Sequence, residues 1–509
     1  MVEKCHSFRS EDEEINDRLL LVEHVWAKLG VQLKVLDSLC HSQQLDPTLA
    51  CSHFHLLEKL QATFHKASSR LEAFDTSAPQ MSKVRRIIAD IRRKTRYAVT
   101  KDALDELLAA LEQWQQRFDL TWYLVALSAR SLEGPVLNGA NEQTTEVDPR
   151  HAFLTQTVAL RRAINFDRSG ITLTQENKSY RNLPGNQLKG VPRILLPFSA
   201  VTVIDRPTWN NLLLSESVET PSGAISQAKA DVERLAQKLQ EVDPDTFGLL
   251  KCYGLIKKYD IDTGVLTDIE VIYRAPPNSR IPTTLRYLLV SSRLVSLSEI
   301  VKMAKQLSRS VGYVHACDFV HKNIRPENIV VFPNDKTVLG SSFLVGFQQF
   351  RNTHSQTNLV GDPVWYRDLY RHPQRQGPFI NERYVMQHDI YSLGMCLLEI
   401  GLWGSFVCYE ENDTTSSPFL NLPMHFDSRE WNMSADSLPS KGRFVEMARA
   451  CLPQRVGNIY TDVVVDCLTC LDEENGAFGA LTSSPNDIGT LTGIQYVESI
   501  VAKMAEVHV

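Results

Sequence analysis

The sequence predicts a multidomain chain, an all-α helical bundle followed by an α+β region. Three observations lead there. Residues 1–132 carry long runs with helical apolar periodicity. Residues 133–150, Glu-Gly-Pro-Val-Leu-Asn-Gly-Ala-Asn-Glu-Gln-Thr-Thr-Glu-Val-Asp-Pro-Arg, change abruptly to linker chemistry. Beyond them, short strand-like stretches give way to apolar helical segments. A chain of 509 residues exceeds a single core, and length alone suggests about two to four units.

The helical part reads as follows. Residues 11–41 form one long helix with Leu19, Val22, Trp26, Leu29, Leu33 and Leu36 near a common stripe. A second, 46–74, starts near Asp46-Pro47 and carries Leu49, Phe54, Leu57, Leu60, Phe64, Ala67 and Leu71. Residues 81–97 are basic: Lys83, Arg85, Arg86, Arg92, Arg93, Lys94 and Arg96 crowd together. A further helix, 101–131, carries Leu104, Leu107, Leu108, Leu111, Trp114 and Phe118, then Trp122-Tyr123-Leu124-Val125. Long amphipathic helices with short links make a bundle. After the linker, 152–165 reads as a short helix.

Strand-like alternation starts at 193–218, with Ile194-Leu195-Leu196, Val201-Thr202-Val203-Ile204 and Leu212-Leu213-Leu214. No G-x-G-x-x-G accompanies these stretches. Residues 224–240 form a helix with Ile225, Ala228, Val232, Leu235, Ala236 and Leu239 on one face. Leu249–Tyr253 and Ile269–Tyr273 suit the next strands, and Pro276-Pro277 marks a hinge. Thr414-Thr415-Ser416-Ser417-Pro418 reads as a polar loop, and 491–506 as a terminal helix with Ile494, Val497, Ile500, Val501 and Met504 on one side.

Four blocks carry chemistry. His321-Lys322-Asn323-Ile324-Arg325-Pro326-Glu327-Asn328 has the frame H-x-x-x-x-P-E-N; then come Phe343-Leu344-Val345-Gly346-Phe347-Gln348, Trp365-Tyr366-Arg367 leading to His372-Pro373-Gln374, and Asp389-Ile390-Tyr391-Ser392-Leu393-Gly394. In order and spacing they resemble the catalytic loop, the D-F-G segment, the A-P-E segment and the large buried helix of a protein kinase. The resemblance covers roughly residues 285–475 and implies a bilobal protein-kinase-like fold: a helical bundle at 1–132, a linker at 133–189, an N-lobe at 190–277 and a C-lobe at 278–509.

The same resemblance divides the blocks by job. His321, Pro326, Pro373, Asp389, Ser392 and Gly394 match positions that hold the fold. Asn323 stands where the catalytic Asp accepts the substrate proton, and a carboxamide has no basic lone pair with which to do so. Gly346 replaces the Asp that holds Mg²⁺, a hard cation requiring carboxylate oxygens. Arg325, Asn328 and Phe347 remain as remnants of a nucleotide site. The third strand, Asn211 to Glu216, puts Ser215 or Glu216 near the position of the phosphate-pairing Lys, where a Glu would repel phosphate. Glu233 sits where the Glu partner of that Lys would stand, or is a solvated or helix-paired charge. No catalytic residue and no metal site is expected.

The helix order of the first 132 residues, with Leu20-Leu21-Val22-Glu23-His24-Val25-Trp26 and Phe118-Asp119-Leu120-Thr121-Trp122, resembles the fungal HeLo-type (prion-inhibition and propagation) helical domain. That domain occurs in heterokaryon-incompatibility and prion-linked cell-death proteins. The resemblance implies a membrane-acting effector released by a partner domain. The basic cluster at 81–97 is open to three readings: a solvated helix face, an anionic lipid contact worth about 1 kcal/mol per charge, or a protein or RNA contact.

Composition bounds the rest. Apolar content of 43% and charged content of 22% are ordinary for a globular protein. A net charge of −6 argues against DNA as a partner. Ten scattered cysteines, with no signal peptide in front of them, fit free thiols in a cytoplasmic protein, possible periphery to membranes included. Cys467 and Cys470 form a C-x-x-C within a buried helical pattern, and no second Cys or His pair stands at zinc spacing. No apolar run of eighteen or more residues is present. Three functions stay open: a non-catalytic signalling protein whose pseudokinase controls the helical effector, with a protein partner or self-association; an unconventional ATP-dependent kinase; or a scaffold with a dimerising helical domain. No cofactor is expected except under the second, which needs ATP and Mg²⁺.

Overall fold

A computed structural model describes residues 57–63, 65–66, 69, 106–108 and 110–111, together with 181–507 apart from 185–187, 189, 206–211, 219–224, 241, 243, 261, 278, 292, 318, 334–338, 348–349, 353–363, 378–379, 381, 411–412, 417–438 and 479–494. The chain divides into two compact units, 1–158 and 159–509. In the first, the described residues are helical, and Leu60, Leu108 and Leu111 are buried, as the expected apolar stripes require. The rest of the expected helices at 11–41, 46–74, 101–131 and 152–165, and the basic cluster from Lys83 to Arg96, lie outside the described residues.

The second unit opens with a small lobe. Its antiparallel sheet has the order β1-β2-β3-β5-β4, from β1 (Arg193–Leu195), β2 (Thr202–Ile204), β3 (Leu213–Ser217), β4 (Lys251–Tyr259) and β5 (Leu266–Arg274). The helix α1 (Ile225–Gln240) packs on β4 and β5 through Val232, Leu235, Ala236 and Leu239, all buried. This is the face that its 3.6-residue periodicity marks out. Strand β1 lies at the sheet edge with Ile194 and Leu195 exposed, so its apolar residues are not core. Asp260 shapes the β4–β5 turn by accepting from the Thr263 amide and hydroxyl, and Gly264 supplies the positive φ that the turn requires.

After Pro276-Pro277 the chain enters a helical lobe. Strand β6 (Thr283–Thr284) leads directly into α2 (Leu285–Val290), whose N-cap is Thr284. Next comes α3 (Leu297–Ala316), started by a capping box between Ser296 and Glu299, which satisfies backbone donors at the helix start. Strand β7 (Phe319–Val320) precedes the expected catalytic loop. Strands β8 (Ile329–Phe332) and β9 (Ser341–Leu344) form a hairpin beside β6, and β10 (Arg351–Asn352) pairs with β7.

The helix α4 (Met386–Leu402) is buried along its whole length, its polar residues Asp389, Ser392 and Glu399 included, and packs against α3 and α6 (Asn458–Leu468). Gly394 lets α4 and α6 touch, since a Cβ there would lie 2.8 Å from Cys467 Cβ. The helix α5 (Lys441–Cys451) packs on α6, and a last helix follows.

Two expectations need correction. The polar loop expected at 414–418 is largely a strand: β12 (Asp413–Ser416) pairs with β11 (Val407–Glu410), placing the β-branched Thr414 and Thr415 opposite Tyr409 and Cys408. The terminal helix is interrupted by a π segment, Val497–Ala502, although Ile500, Val501 and Met504 are buried as expected. Among the described residues no helix is long and apolar enough to cross a membrane, and no group of His, Cys, Asp or Glu could hold a metal ion. Cys467 and Cys470 are buried free thiols.

Candidate functional site

The turn after β7 is held by one buried acid. Asp389, in the first turn of α4, accepts from His321 N at 2.7 Å, Lys322 N at 2.8 Å and the Tyr384 hydroxyl at 2.7 Å, with His315 Nε2 3.1 Å away. Burial pushes its carboxyl up, but His315, His321 and Tyr384 outweigh burial and hold it below the usual carboxylate range. These bonds fix Lys322 at φ +65°, a left-handed conformation that costs a side-chain-bearing residue about 1–3 kcal/mol. Pro326 begins the 3₁₀ turn Pro326–Asn328, with half-buried Arg325 in extended backbone just before it. Pro373 begins another such turn, Pro373–Arg375, capped by His372. Ser392 donates to the Tyr370 carbonyl at 2.6 Å and so ties α4 to the segment before it.

Buried imidazoles surround this frame. Burial pushes His321 down to about 4, against the pull of Asp389; His372 goes to about 4 and His388 to about 3. In the unfolded chain all three titrate near 6.5. Between about 6.5 and 4 the unfolded state therefore binds more protons, and their stabilising contribution is complete above 6.5 and lost as pH falls towards the folded values. Glu216 and Glu399, raised by burial, act in the opposite sense. We expect the denaturation midpoint to fall as pH drops from about 6.5 to 5, His321 alone contributing on the order of 2 kcal/mol over that window. A level midpoint over that range would show that these imidazoles are not buried in the neutral form.

Asn323 and Gly346 meet across the loop. Asn323 Nδ2 donates to the Gly346 carbonyl at 3.3 Å, and Asn328 Nδ2 donates to the Asn323 carbonyl at 2.8 Å. Gly346 has φ +88°, and a Cβ there would lie 2.7 Å from Asn328 Cβ and closer still to its amide. Phe347 is buried, its ring 4.5 Å from that of His321.

Between the two candidates on β3, the register decides. Ser215 bonds to Glu270, which is paired with Arg193, on one face of the sheet. Glu216 faces the cleft. It is 1% exposed and accepts from Gly346 N at 2.7 Å, Phe347 N at 3.1 Å and the Tyr273 hydroxyl. Burial pushes its carboxyl up, against those three donors. Glu233 on α1 is buried and bridges to Lys257 of β4 at 2.5 Å, so it is not a solvated charge.

These donors do not fit Mg²⁺, which takes near-octahedral oxygen ligands. Gly346 offers no side chain and both Glu216 oxygens accept backbone N–H groups, which leaves Asn323 and Asn328 to offer neutral carboxamide oxygens and no free carboxylate.

The sequence reading missed the front of the cleft and its floor. The β1–β2 turn has no glycine; Pro197 O accepts from the Thr284 hydroxyl at 2.7 Å, and Phe198, at φ +62°, packs on Tyr409 with ring centroids 4.4 Å apart. The Tyr409 hydroxyl donates to Glu327 at 2.5 Å. Beneath lies Arg286, fully buried, which donates to Glu327 at 2.9 Å, Glu399 at 2.8 Å, Ser405 at 2.7 Å and the Tyr370 hydroxyl. Lys238, at the end of α1, is also buried; its Nζ donates to the Cys317 carbonyl at the end of α3 and lies 4.5 Å from the Phe319 ring centre. An arginine or lysine in a sequence carries no sign that it will be buried.

Comparison with known proteins agrees with the class. The chain is 28% identical over 117 residues to a probable serine/threonine-protein kinase of Dictyostelium discoideum, covering 23% of this chain and 6% of that protein. It is 26% identical over 167 residues to the mitosis inhibitor protein kinase mik1 of Schizosaccharomyces pombe, 32% of this chain and 26% of that one. It is 25% identical over 108 residues to a Raf homolog serine/threonine-protein kinase of Caenorhabditis elegans, 20% and 13% respectively. The chain thus spans about a quarter or less of the length of these relatives. No family model matches. The mixed helix and sheet fold and these similarities define a protein-kinase-like domain.

Proposed function

We propose that this chain is a non-catalytic signalling or regulatory protein in which the protein-kinase-like domain is a conformational and docking module for the helical N-terminal domain. The observation that carries the reading is Glu216: a buried carboxylate occupies the part of the cleft where kinase chemistry requires a cation for phosphate. Asn323 in place of a base and Gly346 in place of a metal ligand support it. In this reading the HeLo-like helices are the effector. They act in the cytoplasm on a protein partner, on a second copy or, through the basic cluster at 81–97, on an anionic membrane, in fungal non-self recognition or cell death. ATP and Mg²⁺ have no role.

A thermal melt of the purified chain with ATP, with and without Mg²⁺, tests it. A ligand at about 100 times its Kd adds roughly 2.7 kcal/mol, several degrees for a domain of this size. The expected result is no shift. A Mg²⁺-dependent shift would sink this reading and favour an unconventional kinase.

A further inference from the structure

The Glu216 carboxylate is held as a bound anion is held. Gly346 and Phe347 turn successive N–H groups towards it at 2.7 and 3.1 Å, and Gly346 has φ +88°. Successive N–H groups beside a left-handed residue form a concave anion site. The Tyr273 hydroxyl supplies a third donor. Only glycine suits this turn, because Asn328 fills the space a Cβ would take. The carboxylate comes from β3 in one lobe and the N–H pair from the loop after β9 in the other.

We infer that the backbone of Gly346 and Phe347 is an anion-binding nest occupied by the chain's own Glu216, an internal ligand that clasps the two lobes. The polarity at this point is the reverse of that of a metal site. The loop offers hydrogens and takes up negative charge. A free anion, inorganic phosphate being the simplest, competes with Glu216 for the same donors and is shut out while the carboxylate is seated. The outer contacts, Thr284 with Pro197 and Phe198 with Tyr409, close the same cleft from its front. This goes beyond the non-catalytic reading and does not depend on it: a clasped domain could still transfer phosphate by another route, and a dead one could be unclasped.

Hydrogen exchange on the full chain tests the clasp without any assay of phosphate transfer. In the native protein the amides of Gly346 and Phe347 are expected to be protected. In Glu216→Ala their exchange should quicken about tenfold or more, the equivalent of losing hydrogen bonds to a charged group. In Glu216→Gln, which keeps the shape, the gain should be smaller. The β4–β5 hairpin should keep its native rate in both. Millimolar inorganic phosphate should slow exchange at 346 and 347 in Glu216→Ala and leave the native protein unaltered. Unchanged exchange at 346 and 347 in both variants overturns the proposal, as does acceleration shared equally by β4 and β5. Phosphate without effect on Glu216→Ala overturns the anion-site assignment. If Glu216→Ala does not fold, Glu216→Gln decides by the same comparison of the two regions.

Discussion

Replacing Arg286 by methionine is expected to cost about 3–5 kcal/mol, because it removes one partner of a buried ion cluster and strands the others. Glu327 is 3% exposed and Glu399 0% exposed, so neither carboxylate can turn to water for relief. Burial pushes Glu327 up, but the Arg286 and Arg325 charges outweigh it and hold it below the usual range. Glu399, in the same cluster, stays raised by burial despite Arg286, the Phe406 amide and the Tyr370 hydroxyl. The guanidinium thus supports one acid fully and the other in part. The expected fall in melting temperature is roughly 6–15 °C. Arg286→Lys should recover little, since an ammonium cannot reproduce a planar fork bonded on several sides. The triple change Arg286→Met, Glu327→Gln, Glu399→Gln should recover much of the loss, because no charge is then left unpaired. A single methionine variant as stable as the native chain would show that the cluster does not hold the helical lobe together.

The double change Asn323→Asp, Gly346→Asp is expected to give no Mg²⁺-dependent phosphate transfer and a protein less stable by about 3 kcal/mol or more. The restored side chain at 346 has no room. Its Cβ would lie 2.7 Å from Asn328 Cβ, and φ is +88°. To admit it, the loop must turn, and turning it removes the two N–H groups from Glu216. Asn323→Asp alone restores a carboxylate but leaves the metal unheld. Transfer from labelled ATP by either variant, above that of the native chain, would overturn the metal argument. At Gly346 packing, as well as the missing side chain, stands against a carboxylate.

Much of the fold was legible because periodicity and turn chemistry are local. The strands at 193–218 and the helix from Ile225 follow the alternation and the 3.6-residue pattern within a residue or two. The block at 321–328 could be placed because Asp389 and its neighbours stand at a characteristic spacing. What could not be read was the partnership of charges. Ser215 and Glu216 are adjacent in sequence and opposite in direction, and only the pairing of β3 with β2 and β5 shows which one enters the cleft. Arg286 and Glu399 are 113 residues apart. The strand at 413–416 was hidden by its polar composition; pairing with β11, which has Tyr409 and Cys408, decides its state.

The buried Lys238 sets the mechanics of α1. It rivets the last turn of that helix to the end of α3, so a rotation about this end strains the bond less than a slide along the axis. Ile225 lies thirteen residues away, about 20 Å along the axis. A swing of about 10° would therefore carry Ile225 about 3 Å while the Glu233–Lys257 bridge, some 7 Å from the rivet, stretches by little more than 1 Å. Such a helix is a lever with its fulcrum at the helical lobe and Ile225 at the far end of its arm.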